Sequence, residues 1–129
     1  KEMGKEIDKI NMFFTDMEAR KRMRVSLGQI PGILVTSSIP NNLEINAPGA
    51  TKGEAILRLA KHLGLSREQT MGFGDGENDM TMIRMAGIGV AMGNAVEALK
   101  AEADYVTVTN DEDGVADAIE KLVLNVEME

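Results

Sequence analysis

Residues 74–79 combine side chains that bind ligands with a backbone that can turn sharply. The stretch Gly74-Asp75-Gly76-Glu77-Asn78-Asp79, called the acidic loop below, places three carboxylates and one amide side by side. Its two glycines let the backbone bend tightly and approach a ligand closely. Carboxylate oxygens are ligands that Mg²⁺ prefers, and an amide can donate a hydrogen bond to a phosphate oxygen. The acidic loop is therefore the first candidate for a functional site.

The acidic loop lies between two segments of different periodicity. The apolar segment Thr70–Phe73 is typical of a short strand, and helical spacing follows the loop from Met80 to Ala86. A strand, a tight loop and a helix in this order indicate a site at the carboxyl end of a parallel strand, where open α/β sheets bind their ligands.

The neighbouring sequence continues the alternation of helices and strands. Successive strands separated by helices predict a parallel sheet with right-handed crossovers. The predicted elements are a helix over Lys52–His62, a strand over Ile88–Met92, a helix over Ala95–Ala103, a strand over Tyr105–Val108 and a helix over Val115–Leu124.

Residues 1–46 have a different pattern, which predicts a small β-α-β-β unit. Because a short turn joins the last two strands, we expect them to pair antiparallel. The unit is too small to be a stable domain alone, and residues 47–51 form the predicted linker to the α/β part. The predicted elements are a strand over Ile10–Phe14, a helix over Met17–Leu27 capped by Thr15 or Asp16, and strands over Ile33–Ser38 and Leu43–Asn46.

The composition predicts a globular protein of ordinary size and excludes several functional classes. The 129 residues are 43% hydrophobic but only 3% aromatic, so we expect a core of aliphatic side chains and of the ten Met residues. The net charge of −7 disfavours nucleic-acid binding, which needs a basic surface. The absence of cysteine excludes disulfides, thiol nucleophiles and zinc–thiolate sites.

The sequence carries no signal for a membrane or for export. No apolar run approaches the ~18 residues of a membrane span, and no signal peptide is visible. We therefore expect a cytoplasmic protein without a membrane partner. The chain begins at Lys1 rather than at Met, and its first five residues are not typical of a natural start, so we expect an internal fragment.

Several motifs in the same order make residues 43–119 resemble one protein family. They are similar to the C-terminal part of the haloacid dehalogenase superfamily, and specifically to its Cof-type sugar-phosphate phosphatases. Residues 1–46 are similar, less specifically, to the end of the α/β cap in that family. The matching stretches are Leu43-Glu44-Ile45, Thr51-Lys52-Gly53, Gly74–Met82, Ala86–Ala95, Ala103–Thr107 and Asn110–Val115.

The resemblance implies a fold class and a division of the chain. The fold would be α/β, the C-terminal half of a Rossmann-like parallel sheet with helices, preceded by the tail of a small α/β cap. Residues 1–46 would be the remnant of the cap domain. Residues 47–129 would be the C-terminal part of the hydrolase core domain.

The sequence departs from the family pattern at one essential point. Family members carry an N-terminal Asp-x-Asp-Gly-Thr motif, whose first Asp takes the phosphoryl group and whose second Asp is the general acid/base. A separate Ser or Thr ends their second strand, and none of these groups is present here. The nearest imitation, Phe13–Glu18, lacks the Gly-Thr pair and precedes the cap-like strands, so we interpret it as an ordinary helix start.

The resemblance also implies roles for four residues. Asp75 would be a catalytic residue that holds Mg²⁺ at the strand end. Asp79 would be a second metal residue, a group that orients Asn78, Lys52 or a metal-bound water, or a helix cap. Lys52 would be catalytic, because its ammonium can balance the charge of the nucleophile and of the transferred phosphoryl group. Lys52 and Asn78 would bind phosphate, although Asn78 could also cap the following helix.

Two functions follow from these features, and a third is disfavoured. The first is a Mg²⁺-dependent phosphatase of small phosphorylated metabolites, of which this chain alone is inactive. The second is a non-catalytic fragment that forms a homodimer through the exposed sheet edge at Thr70–Phe73. The phosphorylation domain of a P-type ion pump has a similar Gly-Asp-Gly-x-Asn-Asp loop, but this sequence lacks membrane spans and the Asp-Lys-Thr-Gly sequence.

Three further polar features receive structural interpretations. His62, the only histidine, is expected on the surface of its helix. Asn94 is expected to be a helix cap or to line the edge of the pocket. Asp111-Glu112-Asp113 is expected to be a helix-start charge cluster rather than a second metal site.

Overall fold

A computed structural model describes residues 7–124 of the chain. The chain divides into two compact units after Thr51. Each unit contains a three-stranded sheet together with α-helices, which confirms the predicted α/β class.

The first unit is an antiparallel sheet with one helix. The strand order is β1-β3-β2, so the central strand β3 pairs antiparallel with both neighbours. The predicted β-α-β-β order and the antiparallel pairing of the last two strands are confirmed. The elements are β1 (Lys9–Phe13), α1 (Met17–Gly28), β2 (Leu34–Thr36) and β3 (Asn42–Asn46).

Helix α1 begins at a side-chain cap. Asp16 Oδ1 accepts hydrogen bonds from the N–H groups of Glu18, at 2.8 Å, and Ala19, at 3.2 Å. A cap of this kind contributes about 1 kcal/mol, and it confirms that Phe13–Glu18 is a helix start. Met17 and Met23 of α1 are 41% and 37% exposed, so the expectation of a core role is wrong for these two methionines.

Strand β2 ends earlier than predicted because buried Asn42 turns the chain. Asn42 Oδ1 accepts hydrogen bonds from the N–H groups of Ser38, at 3.1 Å, and Ile39, at 3.2 Å. The Ser37 hydroxyl lies 2.8 Å from the carbonyl oxygen of Ile39. Ser37 and Ser38 therefore belong to the turn and not to the strand.

Buried Glu44 of β3 is held by polar neighbours. Lys9 Nζ lies 2.8 Å from Glu44 Oε2, and Ser38 Oγ lies 2.6 Å from Oε1. Burial raises the pKa of Glu44, but hydrogen bonds from Lys9, Ser38 and Asn42, with the charge of Lys9, outweigh it and lower the pKa. Because the folded pKa is lowered, this stabilisation is present near neutral pH and is lost as the pH falls through that pKa.

The second unit is a parallel sheet with helices in its connections. The strand order is β4-β5-β6, and both pairings are parallel, as the sequence predicts. The elements are α2 (Lys52–His62), β4 (Met71–Gly74), α3 (Met80–Met85), β5 (Ile88–Ala91), α4 (Glu97–Lys100), β6 (Tyr105–Val106) and α5 (Gly114–Ile119).

Two helices of the second unit differ from their predicted ranges. The helix predicted over Ala95–Ala103 is α-helical only at Glu97–Lys100. Val96 has extended backbone, at φ −63° and ψ 144°, and its N–H donates to Asp75 O, so the helix begins only after it. Helix α5 ends at Ile119, and the chain continues as a π-helical turn over Glu120–Leu124.

Strand β6 ends two residues earlier than predicted, and the Thr107 side chain that follows it bonds to helix α5. The hydroxyl of Thr107 lies 2.7 Å from Gly114 O and 2.9 Å from Asp117 Oδ2. Hydrogen bonds from Lys121 and Thr107 hold the pKa of Asp117 below its ordinary value. These contacts attach α5 to the end of β6.

The core of the second unit lies around α3, β5 and α4. Phe73, Met80 and Ala103 pack against its buried cluster. This aliphatic core with methionine agrees with the prediction from composition. The buried cluster consists of Ile83, Ala91, Met92, Ala95 and Leu99.

Within residues 7–124, no helix has both the length and the apolar character that crossing a membrane requires.

Candidate functional site

The acidic loop leaves β4 at the edge of the sheet where β5 also ends. Gly74, the last residue of β4, is paired with Ala91, the last residue of β5. The N–H of Met92 donates to Gly74 O at 2.9 Å, and the N–H of Val96 donates to Asp75 O at 3.0 Å. The loops after two adjacent parallel strands are therefore bonded together at the carboxyl edge, where the sequence predicts the site.

The buried side chain of Asp79 bonds to the backbone of the acidic loop. It is 4% exposed, and its Oδ2 accepts hydrogen bonds from the N–H groups of Asp75, at 3.0 Å, and Gly76, at 3.1 Å. Its Oδ1 accepts a hydrogen bond from Lys52 Nζ. The Asp79 side chain makes no capping bond to helix α3. Its bond from the Gly76 N–H instead caps the 3₁₀ turn Glu77–Asp79 that leads into α3, and a contact that orients Lys52 is present as well.

Lys52 reaches Asp79 because α2 begins directly beside α3. A Cβ on Gly53 would lie 2.4 Å from Thr81 O, so only glycine permits this approach. The N–H of Gly53 donates to Thr81 Oγ1 at 3.2 Å. The side chain of Lys52 is 50% exposed, so its ammonium group is held by Asp79 and still faces solvent.

Asp75 carries the exposed carboxylate of the acidic loop. Its Oδ2 lies 3.3 Å from Asn94 Nδ2, and its Oδ1 accepts no hydrogen bond from residues 7–124. Within these residues, no group of three or more His, Cys, Asp or Glu is arranged to hold a metal ion. A single open carboxylate oxygen still fits Mg²⁺, which takes one or two carboxylates and completes its shell with water and phosphate oxygens.

Asn78 lies half-buried between Asp75 and Asp79 in the loop. In the part of the chain that the structure describes, its side chain makes no hydrogen bond, so it does not cap helix α3. Its amide is therefore available to donate to an anion at the loop. Glu77 is also half-buried.

The remaining polar features lie where the sequence predicts them, with one exception. His62 is exposed in the last turn of α2. Asp111–Asp113 lies at the turn before α5, with Asp113 left-handed at φ 57°. Asn94 does not cap a helix, which corrects one of its two expected roles, because α4 begins after Val96 and Asn94 Oδ1 accepts from the N–H of Asn110. Its contact with Asp75 agrees with the other expectation, that it lies at the edge of the site. Asp75 is the first residue after β4 and Asn94 is the third after β5, and the loops that follow adjacent parallel strands lie close together.

The fold and the loop geometry agree with one family. Haloacid dehalogenase-like hydrolases match residues 1–119, and the chain belongs to this family. The 5-amino-6-(5-phospho-D-ribitylamino)uracil phosphatase YcsE of Bacillus subtilis is 44% identical over 109 residues, which cover 84% of this chain and 44% of YcsE. Phosphatase YwpJ of the same organism is 47% identical over 91 residues, which cover 70% of this chain and 32% of YwpJ.

Solved structures show the same relationship. A haloacid dehalogenase-like hydrolase from B. subtilis superposes with a TM-score of 0.86 at 40% identity, over 90% of this chain and 41% of that protein. The HAD subclass IIB sugar phosphatase BT4131 gives a TM-score of 0.81 at 40% identity, over 92% and 44%. The predicted resemblance to Cof-type phosphatases is confirmed. The chain spans less than half the length of these relatives.

Proposed function

We propose that this chain is part of a Mg²⁺-dependent phosphatase that acts on small phosphorylated metabolites such as sugar phosphates. In this proposal residues 47–129 are the C-terminal part of the hydrolase core, and residues 1–46 are the remnant of an α/β cap. Relatives named as phosphatases, among them a sugar phosphatase, support the reaction class and the substrate class.

The observation that carries the proposal is the double role of the buried Asp79 carboxylate. One of its oxygens holds Lys52, and the other holds the backbone of Asp75 and Gly76. One carboxylate thereby fixes the cationic side chain of Lys52, at the start of α2, beside the backbone that carries Asp75 at the carboxyl edge of the parallel sheet. Phosphoryl transfer depends chiefly on such positioning and on charge stabilisation.

Each of the four site residues receives a role from its surroundings. Asp75 offers its open Oδ1 to Mg²⁺, and the half-exposed ammonium group of Lys52 is available to a phosphate oxygen. Asn78 donates its uncommitted amide to the same phosphate. Asp79 serves the metal site by fixing the Asp75 backbone, since both of its own oxygens are already engaged. Bound Mg²⁺ would neutralise negative charge on the phosphoryl group.

The nucleophile of the proposed reaction is absent from this sequence. In the intact parent, the first Asp of the family motif would attack phosphorus as the bond to the leaving oxygen breaks, and the second Asp would give that oxygen the proton with which it leaves as the alcohol. Water would then hydrolyse the resulting aspartyl-phosphate. Lys52 would balance the charge of that carboxylate and of the phosphoryl group during both steps. We therefore propose that the 129-residue chain has no turnover by itself.

A p-nitrophenyl phosphate assay with Mg²⁺ tests this proposal. We expect the rate with the 129-residue chain to equal that of buffer, and an active phosphatase in the same plate verifies the assay. Turnover that disappears in Asp75→Ala would contradict the proposed inactivity and would require a nucleophile elsewhere in the chain.

A second candidate function rests on the edge of the parallel sheet. In the described part of the chain, β4 pairs with β5 alone. A strand with one neighbour presents backbone groups that can pair with another chain. The alternative function is therefore a non-catalytic fragment that forms a homodimer through the edge of β4.

A further inference from the structure

The turn at residues 93–96 holds Asp75 at two points. The N–H of Val96 donates to the backbone carbonyl of Asp75 at 3.0 Å. The side-chain amide of Asn94 lies 3.3 Å from Asp75 Oδ2. Backbone and carboxylate of Asp75 are thus both attached to the loop that follows the next strand.

The same turn is attached to the segment after β6. The N–H of Asn110 donates to Asn94 Oδ1 at 3.1 Å, and the N–H of Gly93 donates to Val108 O at 3.0 Å. A Cβ on Gly93 would lie 2.8 Å from Thr109 N, so the two segments are in close contact. Asn94 therefore bridges the acidic loop to the loop that follows the third strand.

The orientation of the Asn94 amide follows from its two partners. A backbone N–H such as that of Asn110 can only donate, so it must face the amide oxygen. The ionised carboxylate of Asp75 can only accept, so it must face the amide nitrogen. Each partner demands the same orientation, and a flipped amide would lose both hydrogen bonds.

The contact with Asn94 leaves the two carboxylate oxygens of Asp75 in different surroundings. Oδ2 is occupied by the Asn94 amide, whereas Oδ1 accepts no hydrogen bond from residues 7–124. A cation that approaches Asp75 therefore meets one available oxygen. Mg²⁺ suits this arrangement because it demands octahedral geometry with short bonds and keeps several waters. Ca²⁺ accepts a carboxylate through both oxygens and tolerates irregular shells.

We infer that Asn94 is a positioning residue that keeps Asp75 monodentate and thereby favours Mg²⁺ over Ca²⁺ at the acidic loop. The inference rests on the proposed function, because it takes Asp75 as the metal ligand. It predicts that loss of the Asn94 donor frees Oδ2 and improves Ca²⁺ binding relative to Mg²⁺.

The bridge itself can be tested without metal by NMR spectroscopy of the 129-residue chain. We expect Asp75→Asn to shift the side-chain N–H signals of Asn94, and Asn94→Ala to shift the backbone amide of Asn110. Asn41→Ala, which removes an exposed asparagine side chain from the first unit, is the control and should leave both signals unchanged. Absence of either coupled shift overturns the inference and leaves the proposed function standing.

Titrations with Mg²⁺ alone and with Ca²⁺ alone then test selectivity. In Asn94→Ala and in Asn94→Leu, which has a similar shape but cannot donate, the ratio of the Ca²⁺ and Mg²⁺ dissociation constants should fall by about 3-fold or more, where a tenfold change corresponds to 1.4 kcal/mol. A merely structural role would weaken both ions alike. An unchanged ratio overturns the inference. If the metal ions shift NMR signals of the wild-type chain but leave those of Asp75 unchanged, the proposed metal site and the inference are both overturned.

Discussion

At the scale of single residues, the account depends on where the carboxylates of the acidic loop point. Asp75 and Asp79 are four positions apart, yet one is exposed and the other is 4% exposed. The buried carboxylate bonds to Lys52 and to two backbone N–H groups, and the exposed one retains an open oxygen. Burial thus gives the two side chains different surroundings, and it fits the proposal that Asp79 supports the loop while Asp75 binds the metal ion.

The support by Asp79 should be measurable as stability. In Asp79→Asn the amide keeps one acceptor but loses the charge that strengthens the bonds from Lys52, Asp75 and Gly76. Hydrogen bonds to charged groups contribute about 1.5–3 kcal/mol, so we expect the free energy of unfolding to fall by about 2 kcal/mol in urea titrations.

Glu97→Gln is the matched control for that experiment. Glu97 forms an ion pair with Lys100 at 3.0 Å, but its side chain is 89% exposed. Exposed pairs of this kind contribute little, and we expect a change within about 0.5 kcal/mol. Equal losses in Asp79→Asn and Glu97→Gln would show that Asp79 does not hold the loop.

At the scale of elements, close backbone approaches bring the site together. Helix α2 contacts α3 through Gly53, and β4 ends at Gly74 directly against the side chain of Asp79. A Cβ on Gly74 would lie 2.4 Å from Asp79 Cβ and 3.0 Å from its Cγ. The glycine at the end of β4 is therefore part of how Asp79 reaches its partners.

Gly74→Ala should displace Asp79 and destabilise the second unit. Overpacking of a tight site costs typically 1–3 kcal/mol, and we expect a loss in that range by urea denaturation. Gly28→Ala is the matched control, since a Cβ at the end of α1 meets nothing within 4 Å. There we expect no loss, or a gain of up to ~1 kcal/mol from helix propensity. A tolerated Gly74→Ala would contradict the close packing around Asp79.

The sequence predicts elements well where periodicity and caps agree, and less well where side chains redirect the backbone. The parallel strands and helix α2 follow from apolar periodicity and are confirmed. The helix after β5 begins later than predicted because Val96 is extended and bonds to Asp75 O, and β2 is short because of Asn42. The contact between Val96 and Asp75 joins residues distant in sequence, so no local pattern indicates it. The Asn42 turn is local, since Asn42 follows Ser38 and Ile39 by four and three positions, and the predicted strand range takes no account of the turn that its side chain makes.

The difference between local patterns and contacts across the fold also explains which parts of the site the sequence predicts. The acidic loop and Lys52 are recognisable as motifs, because their residue types lie close together or begin a helix. The Asn94 bridge depends on the register between β4 and β5, which the sequence alone does not define. The buried role of Asp79 depends on the approach of α2 to α3.

At the scale of the whole molecule, the chain carries the acidic loop with Lys52 together with the sheet edge at β4. The chain covers 41–44% of the solved relatives named above. The parallel sheet has three strands in residues 7–124, and β4 lies at its edge. Either the proposed phosphate site or the edge of β4 could define the function of this chain, and separate experiments test the two.

The edge alternative predicts a dimer that forms through β4. Thr70 O and Gly74 O accept hydrogen bonds from Ile88 and Met92, so the N–H groups of Met71 and Phe73 face away from β5. In a dimer, light scattering after size exclusion should give twice the mass of 14.0 kDa. Amide exchange at Met71 and Phe73 should then slow on concentration. A monomer with fast exchange at both positions contradicts the homodimer.

The most direct test of the central claim is the coupling between Mg²⁺ and phosphate. If Asp75, Lys52 and Asn78 form one site, inorganic phosphate should bind the 129-residue chain at least ~5-fold more tightly with Mg²⁺, as measured by acidic-loop amide shifts. Asp75→Asn should remove this coupling, and Asn41→Ala should preserve it. Phosphate affinity that is the same with and without Mg²⁺ would contradict a shared site on the acidic loop.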